Sequence, residues 1–251
     1  MKALLLAAGF GTRLRPLTDA IPKCLVPING RPLLGIWLER LTAAGCGPFL
    51  INTHYRAGQV QAFVATSSYL DTVVLEDEPT LLGTAATLRT HLDFFAGADG
   101  LLIHADNYCL ADFRDFIAAH RRRPAGCVMS MMTFRTDTPS SCGIVTLDDR
   151  NVVMDFQEKQ LRPRGNLANG AVYILSPTLL EELRDAGPKV TDFSTQVLPA
   201  LIGRIFAYET SAPLIDIGTP QSYALANTLA RRLPQWEPSV LEAKRSNGVD
   251  T

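Results

Sequence analysis

The sequence predicts an α/β fold in which a mixed, mainly parallel sheet is covered by helices, and three observations lead there. Residues 2–7 form a short, continuous apolar run of the kind buried on both faces of a parallel sheet, and the run delivers two glycines to the strand's carboxyl end. Further apolar runs at 48–52, 72–75 and 101–104 alternate with helix-like stretches at 33–44, 58–65, 84–92 and 113–121, an order that stacks helices onto parallel strands. The chain has 251 residues, 47% of them hydrophobic, and no Gly/Ser/Pro-rich linker divides it, so one substantial core is expected.

Beyond Pro124 the spacing tightens. Strand candidates at 127–134, 143–147, 152–158 and 170–175 extend the sheet and build a lobe in the second half. A helix at 177–184, another near 193–202, strands at 205–209 and 214–217 and a last helix at 220–232 complete a domain spanning 1–232. Arg121, Arg122 and Arg123 fall where the helix that starts after Asp112 should end, and cations there complement the helix dipole, so the run reads as a solvated helix end. Residues 233–251 are polar, carry Pro234 and Pro238, and are expected to form a partly disordered tail.

Composition excludes several classes of function. A formal net charge of -1 gives no global basic field, which argues against nucleic acid as a partner. Cys24, Cys46, Cys109, Cys127 and Cys142 are odd in number, widely spaced and free of any CxxC pair, which fits small core residues in a reducing compartment better than disulfides or zinc. Met1 leads within one residue into the first strand, and no later run approaches membrane-spanning length, so a soluble, cytoplasmic protein with no membrane partner is expected. No internal repeat is visible, so no β-helix extension is expected.

The segment after the first strand carries the chemistry. Gly9 and Gly11 are free to take positive φ and carry no side chain, so backbone N–H groups there can turn toward phosphate oxygens; Arg13 adds a planar fork of donors and Lys23 a mobile point charge. A dinucleotide fingerprint wants a third glycine where Leu14 stands, and the Gly-Lys-Ser/Thr of a Walker loop is absent. The full run, Gly9-Phe10-Gly11-Thr12-Arg13-Leu14-Arg15-Pro16-Leu17-Thr18 followed by Pro22-Lys23-Cys24-Leu25-Val26-Pro27, resembles the signature of the sugar-1-phosphate nucleotidylyltransferases. Asp216-Ile217-Gly218-Thr219-Pro220 with Tyr223 is similar to that family's second metal motif, in the form usual for mannose-type and heptose-type guanylyltransferases.

The resemblance runs in order from Lys2 to about Arg232 and implies a Rossmann-like three-layer sandwich with a sugar-binding lobe. It implies a nucleotide site at Leu6, Ala8, Gly9, Gly11, Thr12, Arg13, Lys23, Glu78, Leu82, Gly83 and Thr84, with Arg13, Lys23 and Asp106 catalytic. Asp106 and Asp216 each follow an apolar run and would carry Mg2+, an ion that binds through one or two carboxylates and completes its shell with phosphate and water. The Leu82-Gly83-Thr84-Ala85 run resembles the nucleoside turn. Where uracil- and thymine-binding relatives commonly carry Gln, this chain has Glu78, and a carboxylate suits the two adjacent donors of guanine, which favours GTP. Asn107, Gly143, Glu158, Lys159 and Asn169 fall at positions resembling the family's sugar-phosphate contacts, with Ala105 and Cys142 standing where the family has glycine and tyrosine, and with the proline that follows its Glu-Lys pair displaced to Pro163.

The implied reaction joins GTP to a mannose or manno-heptose 1-phosphate. Three alternatives stay open: another NTP or sugar on the same scaffold, a cytidylyltransferase acting on an alcohol phosphate, and a nucleotide-sugar-binding protein without turnover. A homodimer also stays open, with no residue that argues for it.

Overall fold

A computed structural model of the chain describes residues 1–232, and the expected tail at 233–251 lies outside them. The first half alternates as expected: β1 (Lys2–Leu6), the short α1 (Leu17–Ala20), a two-stranded ladder of β2 (Pro27–Ile28) and β3 (Arg31–Pro32), α2 (Leu33–Ala43), β4 (Phe49–Thr53), α3 (Ala57–Ala65), β5 (Val73–Asp77), α4 (Thr84–Thr90), β6 (Gly100–His104), β7 (Asn107–Cys109) and α5 (Phe113–Arg121). The second half holds β8 (Met129–Arg135), β9 (Gly143–Leu147), β10 (Val153–Glu158), β11 (Leu167–Leu175), α6 (Pro177–Arg184), β12 (Ile205–Glu209), β13 (Leu214–Asp216) and α7 (Pro220–Arg232).

Local chemistry sets several boundaries. Asp112 accepts from Arg114 N at 2.8 Å and caps α5, while the Arg123 guanidinium donates to the His120 and Cys127 carbonyls beyond its end. Ser176 accepts from Leu179 N and Pro177 takes the first position of α6. The helix expected near 193–202 is instead a π-helical turn at Phe193–Val197 joined to a 3-10 turn at Leu198–Leu201. Pro199 has no N–H to donate to a continuing helix. Likewise α4 stops at Thr90, short of the expected end, and a separate 3-10 turn follows at Leu92–Phe95.

The main sheet has nine strands. Strands β5, β4, β1 and β6 lie side by side and parallel; β11 then runs antiparallel to β6 and also pairs with β8 and β9. Strand β12 is parallel to β8, and β10 returns along β9. Side-chain alternation along β1 feeds two cores on opposite faces: Ala3 and Leu5 pack with Trp37, Phe113 and Phe116, whereas Leu4 packs with Leu88, Phe95, Tyr173 and Phe193. The described residues therefore form the three layers expected.

Chain order reverses beside β1, whose neighbours β4 and β6 lead away in opposite directions, and ligands of open α/β sheets bind outside the strand ends at such a point. A feature not visible in the sequence adds to this. Strands β7 and β13 form a small antiparallel ladder that sets Asp216 opposite Asn107, the residue after Asp106. Among the described residues no helix is long and apolar enough to cross a membrane.

Candidate active site

A cavity of about 350 Å³ opens at the reversal point, lined at one end by the glycine loop with Thr12, Arg13, Lys23, Asp106 and Gly218. Gly11 adopts φ 63°, and a Cβ there would stand 3.0 Å from Thr18 and 3.1 Å from Lys23, so the left-handed turn and the close approach both call for glycine. Gly9 does not take a positive φ and has no neighbour within 4 Å of a virtual Cβ; its bare side leaves the cavity open rather than serving the turn.

Four charges interlock at the mouth. Lys23 Nζ donates to Asp106 Oδ2 at 2.8 Å and Asp216 Oδ1 at 2.9 Å, and Arg13 Nη2 donates to Asp216 Oδ2 at 3.2 Å. Gly218 N donates to Asp216 Oδ1 at 2.8 Å and fixes the carboxylate's second face. Burial works against the Lys23 ammonium, but the two aspartates outweigh it and hold its pKa above the usual lysine value. Burial works against the Asp216 carboxylate too, and there Lys23 and Arg13 prevail and pull its pKa below the usual range. Cys24 lines the same wall as an inert thiol, its pKa pushed up to about 12 by burial.

This donor set suits a divalent cation. Among the described residues Asp106 Oδ1 makes no protein hydrogen bond and Asp216 Oδ2 accepts only from the exposed Arg13. Among the described residues no cluster of three or more His, Cys, Asp or Glu that could hold a metal ion is present, so the protein ligands available here are the Asp106 and Asp216 carboxylates. The charges of Arg13, Lys23, Asp106 and Asp216 also cancel.

At the other end the cavity is bounded by Leu6, Asn52, Glu78, Leu81, Gly83 and Thr87. Glu78 is 3% exposed and already bonded: Oε1 accepts from Asn52 Nδ2 at 2.9 Å and from the Thr87 hydroxyl at 2.5 Å, and Oε2 accepts from Leu82 N at 3.2 Å. The expected two-point pairing with guanine competes with donors already in place, and Oε2 alone keeps an acceptor site. Asn52 Oδ1 accepts from Ala7 N at 2.8 Å, so one buried chain of hydrogen bonds ties the end of β1 to the turn before α4. Gly83 has φ 92°, and a Cβ on it would lie 2.6 Å from the Thr191 carbonyl oxygen. That carbonyl accepts from Ala85 N and Ala86 N, while Thr84 Oγ1 accepts from Phe193 N at 2.7 Å, so the first turn of α4 is capped from another segment.

The structure brings Leu6, Ala8, Gly9, Gly11, Thr12, Arg13, Lys23, Glu78, Gly83, Thr84 and Asp106 to one cavity; Leu82 joins through its N–H to Glu78, and Asp216 through Lys23. The expected sugar-phosphate residues do not line it. Glu158 Oε1 pairs with Lys159 Nζ at 3.3 Å, and a Cβ on Gly143 would meet Glu158 Oε2 at 2.6 Å, so these three form one patch. Asn169 donates to Tyr173 Oη at 2.8 Å at an irregularity in β11, and the buried Asn107 donates to the Gly170 carbonyl at 3.3 Å. Asn52, Thr87, His104 and Thr191 were not anticipated. Asn52 and His104 each stand as a polar residue closing an apolar strand run, the one signal that could have found them.

The chain is 30% identical to mannose-1-phosphate guanyltransferase of Schizosaccharomyces pombe over 98% of its own length and 69% of that protein, and it spans 60% of a Drosophila pseudoobscura protein named mannose-1-phosphate guanylyltransferase catalytic subunit beta. The structure of HddC from Yersinia pseudotuberculosis complexed with GMP-PN matches with TM-score 0.76 at 26% identity, covering 91% of this chain and 98% of that one. A putative glucose-1-phosphate thymidylyltransferase from Bacillus anthracis shares the fold, with TM-score 0.82 at 22% identity over 95% of this chain and 98% of that one. A family model described as Nucleotidyl transferase matches residues 2–232, and the chain belongs to that family.

Proposed function

We propose that this protein condenses an NTP, GTP by preference, with a mannose-like or manno-heptose 1-phosphate, giving a nucleotide sugar and pyrophosphate. The observation that carries the reading is the set of four interlocked charges at the mouth of a cavity whose far end is lined by the nucleoside turn. The names of the relatives support guanine and mannose, and the HddC complex supports binding of a guanine nucleotide.

An oxygen of the sugar phosphate attacks the α-phosphorus; the new P–O bond forms as the bond from the α-phosphorus to the bridging oxygen breaks, and pyrophosphate leaves with the electron pair. The sugar phosphate is already ionised at neutral pH, so no general base is needed and the chain's work is alignment and charge. Loop N–H groups and Arg13 hold the triphosphate, Lys23 takes up charge developing on the leaving group, and Lys159 steers the attacking phosphate from the second lobe. Asp106 and Asp216 would hold Mg2+, which when bound offsets repulsion between the two polyanions. Glu78 supplies one acceptor to the base and otherwise fixes the turn.

The test is magnesium-dependent pyrophosphate release over a grid of NTPs and sugar 1-phosphates, with Asp106→Asn as control. Release that peaks with GTP and a manno-configured phosphate and collapses in the variant is expected. Peak release with another NTP would remove the guanine assignment, and no release from any pair would point to a binding protein.

A further inference from the structure

The stretch from the end of β4 into the first turn of α3 grips the glycine loop and α1 from outside the cavity. Tyr55 Oη donates to the Thr18 carbonyl at 2.9 Å, the Arg56 guanidinium donates to the Asp19 carbonyl, and Gln59 Nε2 donates to the Ala20 carbonyl at 2.9 Å. A helix leaves the carbonyls at its end without partners along its own axis, and α1 is only four residues long, so three consecutive carbonyls are met by side chains from one neighbouring stretch. Thr18 passes the grip on, its hydroxyl donating to the Gly11 carbonyl at 2.8 Å.

Aromatic contacts add a second hold. Phe10, between the two glycines, is not among the residues that line the cavity; its ring stands edge-on to His54 at 5.4 Å and tilted against Tyr55 at 5.6 Å. The Glu78 carbonyl can only accept, so His54 Nδ1 donates to it at 2.7 Å, and the ring that receives Phe10 is fixed from the far end of the cavity. Arg56 adopts φ 55°, a left-handed conformation uncommon outside glycine, and its Nε donates to Tyr55 Oη at 3.2 Å. The Tyr55 hydroxyl thus both donates and accepts within this cluster.

Resting on the reading of the glycine loop as the seat of an NTP's phosphates, the geometry points to Tyr55 and Phe10 as positioning residues that hold this loop in the form that receives a triphosphate. Neither lines the cavity. Tyr55 acts through Thr18 and Gly11, and Phe10 through the loop backbone to which it belongs. Because α1 lies between Arg13 and Lys23 in the chain, the same grip sets the spacing of the two cations. Loosening it costs binding of the outer phosphates first, since the turn that carries Glu78 is anchored separately through Asn52 and Thr87.

The experiment compares wild type with Tyr55→Phe, Phe10→Ala, Thr18→Val and the double variant Tyr55→Phe/Thr18→Val. It measures calorimetric affinity for GTP and for GMP, and KM for GTP and for mannose 1-phosphate in pyrophosphate release. Tyr55→Phe and Phe10→Ala should each weaken GTP about fivefold and raise its KM to match, while GMP affinity and KM for mannose 1-phosphate stay within about twofold of wild type. Tyr55→Phe and Thr18→Val cut one chain of contacts, so the double variant should weaken GTP by less than the product of the single effects. The inference is overturned if Tyr55→Phe and Phe10→Ala both leave GTP within about twofold, or if they weaken GTP and GMP alike, the mark of a merely structural role. GTP binding without turnover in wild type would count against the proposed reaction, while the GTP and GMP arms would still decide the role of Tyr55 and Phe10.

Discussion

Only 7% of the Lys23 side chain is exposed, and it stands between carboxylates 2.8 and 2.9 Å away, so its charge is fixed in place before any ligand arrives. Its pKa lies above the unfolded value of 10.5; the stability this contributes is complete below 10.5 and is lost as pH rises through the folded value. In denaturation with chelator present, Lys23→Met should therefore be less stable than wild type near about pH 8, with the gap narrowing toward about pH 11. A constant gap would mean that charge pairing is not the cause. Glu78 makes a second residue-scale case. In Glu78→Gln the amide oxygen must keep accepting from Asn52 and Thr87, which turns the NH2 toward Leu82 N–H, two donors face to face. The variant should bind GTP and UTP alike more weakly, by about tenfold, without reversing preference. A switch toward UTP would instead establish direct two-point base reading.

At the scale of elements, the cavity is held by segments far apart in sequence. The chain Ala7 N–Asn52–Glu78–Leu82 N joins β1, β4 and the turn before α4, and Thr191 caps α4 from beyond α6. The β9–β10 hairpin, joined to the main sheet through β11, carries Gly143 and Glu158 with Lys159 just beyond, and none of the three lines the cavity. Adding a methyl at Gly143 would force Glu158 and the Phe156 ring, 2.6 and 2.7 Å from a virtual Cβ, to move. Gly143→Ala should raise KM for the sugar phosphate about tenfold while calorimetric GTP affinity stays within about twofold. Equal damage to both substrates would show that the hairpin does not act alone.

For the whole molecule, two cores on opposite faces of the nine-stranded sheet set the strand ends as a rigid platform, so the site does not depend on a metal for its framework. Asp106 and Asp216 are already neutralised by Lys23 and Arg13. Chelation by EDTA should abolish pyrophosphate release yet shift the melting temperature by less than about 2 °C, less than about 1 kcal/mol moves a domain of this size. A large drop would reveal a structural metal.

Sequence by itself determined the parallel half of the fold, because continuous apolar runs and glycine-bounded helices are properties of neighbouring residues. It also picked out the glycine-loop end of the cavity, where Gly11, Arg13 and Lys23 lie within thirteen residues of one another. Tertiary structure alone decided the rest. Asp216 reaches Arg13 across 203 residues through the small β7–β13 ladder, Thr191 lies against Gly83, and the Glu78 carboxylate is turned inward onto Asn52 and Thr87. No local pattern encodes these contacts, because each depends on which buried polar groups meet once the sheet has closed and must then satisfy one another.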